Sequence, residues 1–93
     1  MRRVGQARKR DQNEPAIVRT LKQVGALVIR ISEKGAPDLL VLFRQRIYLL
    51  EVKSRLGKAT LAQAEKTQEG WPVHTVRNER DALEVLGLYM VLQ

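Results

Sequence analysis

The sequence contains no cysteine, one histidine and few aromatic residues: one Phe, one Trp and two Tyr in 93 residues. Without cysteine there is no disulfide framework, no thiolate zinc site and no nucleophilic thiol. The lone His74 leaves no His–metal pair, and a single strand histidine is more often packing or surface than a general base. An aromatic content of 4% leaves few stacking platforms for single-stranded nucleic acid. No apolar run approaches bilayer length, and the basic N-terminus has no apolar stretch behind it, which excludes a secretory signal pattern. Repeats, low-complexity segments and a Gly-rich phosphate loop are also missing. The expectation is a cytoplasmic protein with no membrane segment and no small-molecule cofactor.

What the sequence has in excess is positive charge. Seventeen Lys and Arg face ten Asp and Glu, a net charge of +7. Such a balance favours a polyanionic partner, and nucleic acid is the commonest for a small cytoplasmic protein. With aromatics scarce, backbone and shape recognition of duplex is favoured over base reading. The basic residues do not lie on an amphipathic helix with bulky aromatics, so a membrane surface is the weaker partner. Residues 1–10 carry Arg2, Arg3, Arg8, Lys9 and Arg10 without an acid. They read as a flexible arm that is either a solvated tail or a grip on phosphates. Residues 11–93 read as one domain with a modest core.

That domain is organised around Gly35 to Lys53, GAPDLLVLFRQRIYLLEVK. Two apolar runs rich in Leu, Val and Ile are each too short for a normal helix and read as strands. A four-residue loop, Phe43 to Arg46, built on a type I turn would pair Leu42 with Ile47. That register sets Asp38 across from Glu51, with Lys53 on the face of Glu51 because side chains alternate with period two. A slip of one residue would separate the acids, and a bulge could restore them. Two carboxylates beside a lysine can be a structural ion-pair network. They can equally be a hard-oxygen site for Mg²⁺ or Mn²⁺ with an ammonium to stabilise charge on a phosphate.

Around this hairpin the remaining elements follow in order. Asp11 and Glu14 have capping-box spacing, with Pro15 tolerated in the first turn, and a helix runs to about Val24 before Gly25. Ile17, Leu21 and Val24 form its apolar stripe, and stepping back three residues puts Glu14 on it. Ala26 to Ile31 reads as a strand, and the middle strands, apolar on both faces, predict helices on two sides of the sheet. Ser54 to Ala59 is a basic loop with Arg55 and Lys58. Thr60 to Glu69 reads as a helix in which Gln63 completes a second capping-box pattern. Trp71 to Val76 is a short strand with Arg77 at its end, where it can contact phosphate or an acid. Asn78 can cap a last helix burying Ala82, Leu83, Val85 and Leu86. The apolar tail of Leu88, Tyr89, Met90 and Leu92 closes the core or forms a contact surface. The fold expected is an α/β sandwich: the first three strands form a meander and the fourth returns in parallel after a crossover helix.

Pro37-Asp38, a strand, a turn and Glu51-Val52-Lys53 resemble the PD-(D/E)xK nuclease signature, in its small stand-alone, phage-type VRR-Nuc branch. The similarity extends from about Glu14 to Leu86. It takes in the Gly-x-Pro-Asp turn, Glu-Val-Lys-Ser at 51–54, Gln63 and Val-x-x-Val-Arg from Val73 to Arg77; Asn78 departs from the pattern. The resemblance implies a metal-dependent DNA endonuclease in which Asp38, Glu51 and the Val52 carbonyl hold Mg²⁺ or Mn²⁺ and Lys53 acts at the reacting phosphate. Glu14 becomes a candidate third acid and Gln63 a candidate beside the attacking water, each with capping as its structural alternative. Arg2, Arg3, Arg8, Lys9, Arg10, Arg55, Lys58 and Arg77 become candidate DNA contacts. A homodimer cutting four-way (Holliday) junctions is the activity expected. The alternatives are a flap or restriction-type nuclease, and a non-catalytic basic binding module, against which the presence of both acids and the lysine speaks.

Overall fold

The computed structural model describes residues 10–54 and 70–89. The first helix, α1, spans Glu14–Gln23 with Pro15 in its first turn, where the missing N–H costs nothing. It ends through Val24 at Gly25, whose φ of 98° is the left-handed conformation a C′ glycine supplies cheaply. The expected capping box is not formed. Asp11 offers its backbone carbonyl to the Glu14 N–H at 3.1 Å, Asn13 holds the N-cap position, and its side chain makes no cap bond. The amide is oriented instead by its Nδ2, which donates to two distant carbonyls and leaves the Oδ1 a cap would use without a partner among the described residues.

The strands β1 (Leu27–Arg30), β2 (Leu39–Phe43), β3 (Arg46–Val52) and β4 (Val73–Val76) form a four-stranded sheet in the order β1-β2-β3-β4. The first two pairings are antiparallel and the third is parallel, as the pattern of apolar runs predicts. The β3–β4 connection runs through 55–69, so the helix expected at Thr60 to Glu69 lies outside the described residues. The last helix, α2, spans Glu79–Val85, and Asn78 caps it by accepting from the Asp81 N–H at 2.8 Å.

Leu42 pairs with Ile47 as the register predicts, but the ladder continues to Phe43–Arg46. The turn is therefore Arg44-Gln45 alone, with φ of 51° and 66°. The four-residue loop on a type I turn is corrected to a two-residue turn with both central residues left-handed. Its backbone twist matches that of the flanking strands, which a two-residue type I turn would splay.

One face of the sheet supplies Leu39, Val41, Phe43, Leu50, Val52 and Val76 to a single core with Ile17, Val18 and Leu21 of α1 and Ala82 and Leu86 at α2. Leu88 packs against this core, while Tyr89 is exposed with the Arg80 guanidinium 5.0 Å from its ring centre. Among the described residues both helices sit on this face. Leu27, Ile29, Leu42 and Ile47 on the other face are exposed, so two-sided coverage is not seen within the described part.

Candidate active site

The hairpin brings Asp38 to the start of β2 and Glu51, Val52 and Lys53 to the end of β3. The regular ladder closes at Leu39–Leu50. There Asp38 departs from it: its N–H donates to the Leu50 carbonyl at 3.0 Å, while its own carbonyl accepts from the Ile31 N–H at 2.8 Å. The N–H of Val52 then donates to Asp38 Oδ2 at 2.8 Å. The carboxylate stands in for a backbone acceptor at the strand end, so the residue is held by the sheet from both its main chain and its side chain. The adjacent Glu51 shares a face with Lys53, whose Nζ lies 3.8 Å from Glu51 Oε2.

These groups are interior. Asp38, Glu51 and Lys53 are 6%, 5% and 7% exposed, and Glu14 is 1% exposed. Charges so buried must be compensated. Arg10 does this for two acids at once: Nη1 is 3.5 Å from Glu14 Oε1 and 3.5 Å from Asp38 Oδ1, and Nη2 donates to the Ile31 carbonyl at 2.7 Å. Arg30 donates from Nε to Glu14 Oε2 at 2.8 Å. Glu14 is thus on the inward side of α1, as its spacing predicts, with one carboxylate oxygen toward each arginine.

Asn13 closes the site from behind. Its Nδ2 donates to the Lys53 carbonyl at 2.8 Å and to the Arg77 carbonyl at 2.7 Å, tying the start of α1 to the ends of β3 and β4. Arg77 sits beside this junction. Its guanidinium donates to the Ser54 carbonyl at 2.6 Å and its N–H to Asp81 Oδ2 at 2.9 Å. His74, on β4, lies away from the acids with its ring 6.2 Å from that of Tyr48.

The structure therefore gathers Glu14, Asp38, Glu51 and Lys53 at one end of the sheet, and it places Arg10 among them. Arg2, Arg3, Arg8, Lys9, Arg55, Lys58 and Gln63 lie outside the described residues. Asn13 and Arg30 were not legible as site residues. Asn13 follows a plausible cap pattern that assigns the helix start to Asp11, and Arg30 looks like any charged residue at a strand end.

The donor set is suited to a hard divalent ion. Mg²⁺ is commonly held by one or two carboxylates together with substrate phosphate and water, and Asp38 and Glu51 supply carboxylates on neighbouring strands. Among the described residues there is no group of three or more acidic or histidine side chains placed to hold a metal. Glu14 is accordingly described by its two arginines. None of the described helices is long and apolar enough to cross a membrane.

No family model matches the chain, and no curated protein matches it. A solved structure described as a VRR_NUC domain is similar to it, with a TM-score of 0.66 and 25% sequence identity over 85% of this chain and 95% of that one. The four-stranded mixed sheet and the two helices are consistent with that likeness, and the chain has the fold of a VRR_NUC domain, which supports a nuclease-type domain.

Proposed function

We propose that the chain is a Mg²⁺- or Mn²⁺-dependent endodeoxyribonuclease that hydrolyses phosphodiester bonds in branched duplex DNA. The observation that carries this reading is the burial of Asp38 and Glu51 beside Lys53 at the ends of adjacent strands. Charged groups are seldom placed in an interior without partners or a task. Asp38, Glu51 and the Val52 carbonyl would hold the ion. When bound, it supplies Lewis acidity at the phosphoryl group.

The chain's own residues do the rest. The Val52 N–H holds Asp38 in one orientation, leaving Oδ1 as the oxygen that faces a cation, the place Arg10 takes here. The Lys53 ammonium, drawn to Glu51 and shielded from water, is a fixed positive charge for the phosphorane-like transition state. Asn13 fixes the Lys53 carbonyl and hence the position of that backbone. Gln63 assists at the attacking water in this proposal, and Glu14 serves through its arginines. The +7 charge supports DNA as substrate. A homodimer with two sites at fixed separation suits a four-way junction.

The test is incubation of the purified protein with linear duplex, flap, splayed-arm and four-way-junction DNA in Mg²⁺, Mn²⁺ or EDTA. Cleavage is expected with either metal, strongest on the junction, and absent in EDTA. Asp38→Asn and Glu51→Gln should each remove at least about two orders of magnitude of rate while circular dichroism stays unchanged. Near wild-type cleavage by either folded variant would sink the assignment.

A further inference from the structure

Glu14 is joined through Arg30 to a second feature. An open groove of about 470 Å³ runs beside α1, lined by Pro15, Val18, Arg19, Lys22, Gln23 and Arg30. Three of the six are cations and none is an acid. Arg19 and Lys22 are both exposed and three residues apart, so they share one helix face. Among the described residues neither has a carboxylate partner. Arg30 belongs to both places: its Nε–H holds the buried Glu14, while the side chain is 46% exposed. A guanidinium has five N–H donors in one planar fork, so four remain available to a second acceptor.

We infer that this groove is a phosphate-binding track for the DNA backbone flanking the cut, with Arg30 linking it to the acid cluster. The inference rests on the nuclease reading above and names where its substrate lies. The ligand chemistry is that of a phosphodiester strand, because Arg19 and Lys22, without carboxylate partners among the described residues, and the free donors of Arg30 line one open surface that attracts a chain of anions, and the lining has no aromatic side chain for a base. From Pro15 to Gln23 the helix rises about 12 Å, matching three or four nucleotides at roughly 3.4 Å each along one strand. The track begins next to Glu14, which Arg10 joins to Asp38, so a strand lying in it ends beside the acid cluster. A merely solvated basic helix face would bind no particular part of the substrate.

The experiment is fluorescence anisotropy with a labelled duplex in Ca²⁺, as a function of salt, for wild type and two doubly substituted chains. One is Arg19→Gln with Lys22→Gln. The other, Arg44→Gln with Arg46→Gln, removes the same charge from the hairpin turn at the far end of the sheet. The groove variant should bind about tenfold more weakly at moderate salt, and its slope of log affinity against log salt should fall by roughly 1–2, since each lost phosphate contact removes about 0.9. The turn variant should lose less than about half of that. Circular dichroism checks folding, and Lys22→Gln alone, with half the slope change, replaces the double variant if it does not fold. Equal losses in the two variants, or a groove variant with the wild-type slope, overturn the track and leave the nuclease reading standing. A wild-type chain that neither binds nor cuts any DNA overturns that reading, and the track with it.

Discussion

Arg10 occupies the position of a counter-ion. Its Nη1 lies equidistant, at 3.5 Å, from carboxylate oxygens of Glu14 and Asp38, so it neutralises a carboxylate that the proposed metal site would also use. In that proposal an ion held by Asp38 would compete with Arg10 for the same carboxylate charge, and this sets the expected outcome of Arg10→Gln. Without metal, the variant should be less stable by about 1–2 kcal/mol, the usual worth of a hydrogen bond to a charged group at its lower end because these contacts are long. With Mn²⁺ the deficit should shrink, because the ion no longer displaces an arginine. Thermal melts of wild type and variant in EDTA and in Mn²⁺ measure both effects. An equal Mn²⁺-induced rise in Tm for the two proteins would show that Arg10 does not compete. Asp38 illustrates why the choice of substitution matters at this scale. Asp38→Ala would leave the buried Val52 N–H unpaired, a cost of about 1–3 kcal/mol, whereas Asp38→Asn keeps an acceptor there, removes the charge and replaces the oxygen facing Arg10 by an amide nitrogen.

At the scale of elements, the β2–β3 hairpin controls the site from its far end. Register is set by the turn and by which side chains are buried, and a one-residue slip would carry Glu51 to the other face. Burial specifies it strongly here, since Leu39, Val41 and Leu50 are fully buried. The turn itself is built from residues ill suited to it. Arg44 and Gln45 both hold positive φ, which costs a residue with a Cβ about 1 kcal/mol or more. Replacing them by Asn-Gly, the preferred pair for this turn, should stabilise the protein by about 1 kcal/mol or more with an unchanged m-value in urea. DNA cleavage per folded molecule should not change, because the turn lies at the opposite end of the sheet from Asp38. A destabilised Asn-Gly variant would mean that the Arg44 stack on Phe43, 4.8 Å from the ring centre, outweighs the backbone strain. Asn13 is the other element-scale device, binding three segments with one amide.

At the scale of the molecule, the core seen among the described residues lies on one face of the sheet, in a chain with a net charge of +7. The fold has one set of catalytic candidates, so paired cuts need two chains. The apolar tail of Leu88, Tyr89, Met90 and Leu92 is the contact of the proposed dimer. Leu88 is packed against the core, Tyr89 is 40% exposed, and Met90 and Leu92 lie outside the described residues. Light scattering should give twice the chain mass for wild type at tens of micromolar, and Tyr89→Glu with Leu92→Glu should halve it and lower junction cleavage more than duplex binding. A monomeric wild type would refute the dimer and favour flaps or splayed arms as substrate, with the metal chemistry untouched.

The sequence by itself determined whatever depends on local pattern. Short apolar runs placed the strands, and the loop read between them placed the Leu42–Ile47 pair, and with it the proximity of Asp38 to the Glu51–Lys53 strand end. Helical spacing put Glu14 inward, and the short-range chemistry of Gly25 and Asn78 marked a helix end and a helix start. Only the tertiary structure decided which charges neutralise one another. Arg10 and Arg30 reach Glu14 and Asp38, and Asn13 reaches Lys53 and Arg77, across 16 to 64 residues of chain wherever the partner is not in the next turn. Such contacts leave no periodic trace, because a long side chain at an element's end can turn to whatever buried carboxylate or carbonyl the packed fold brings near it. For the same reason Arg10 read as part of a flexible arm, either solvated or gripping phosphate, and the turn at Arg44-Gln45 read as longer than it is: strand twist, a property of the assembled sheet, overrode the conformational preference of the two residues.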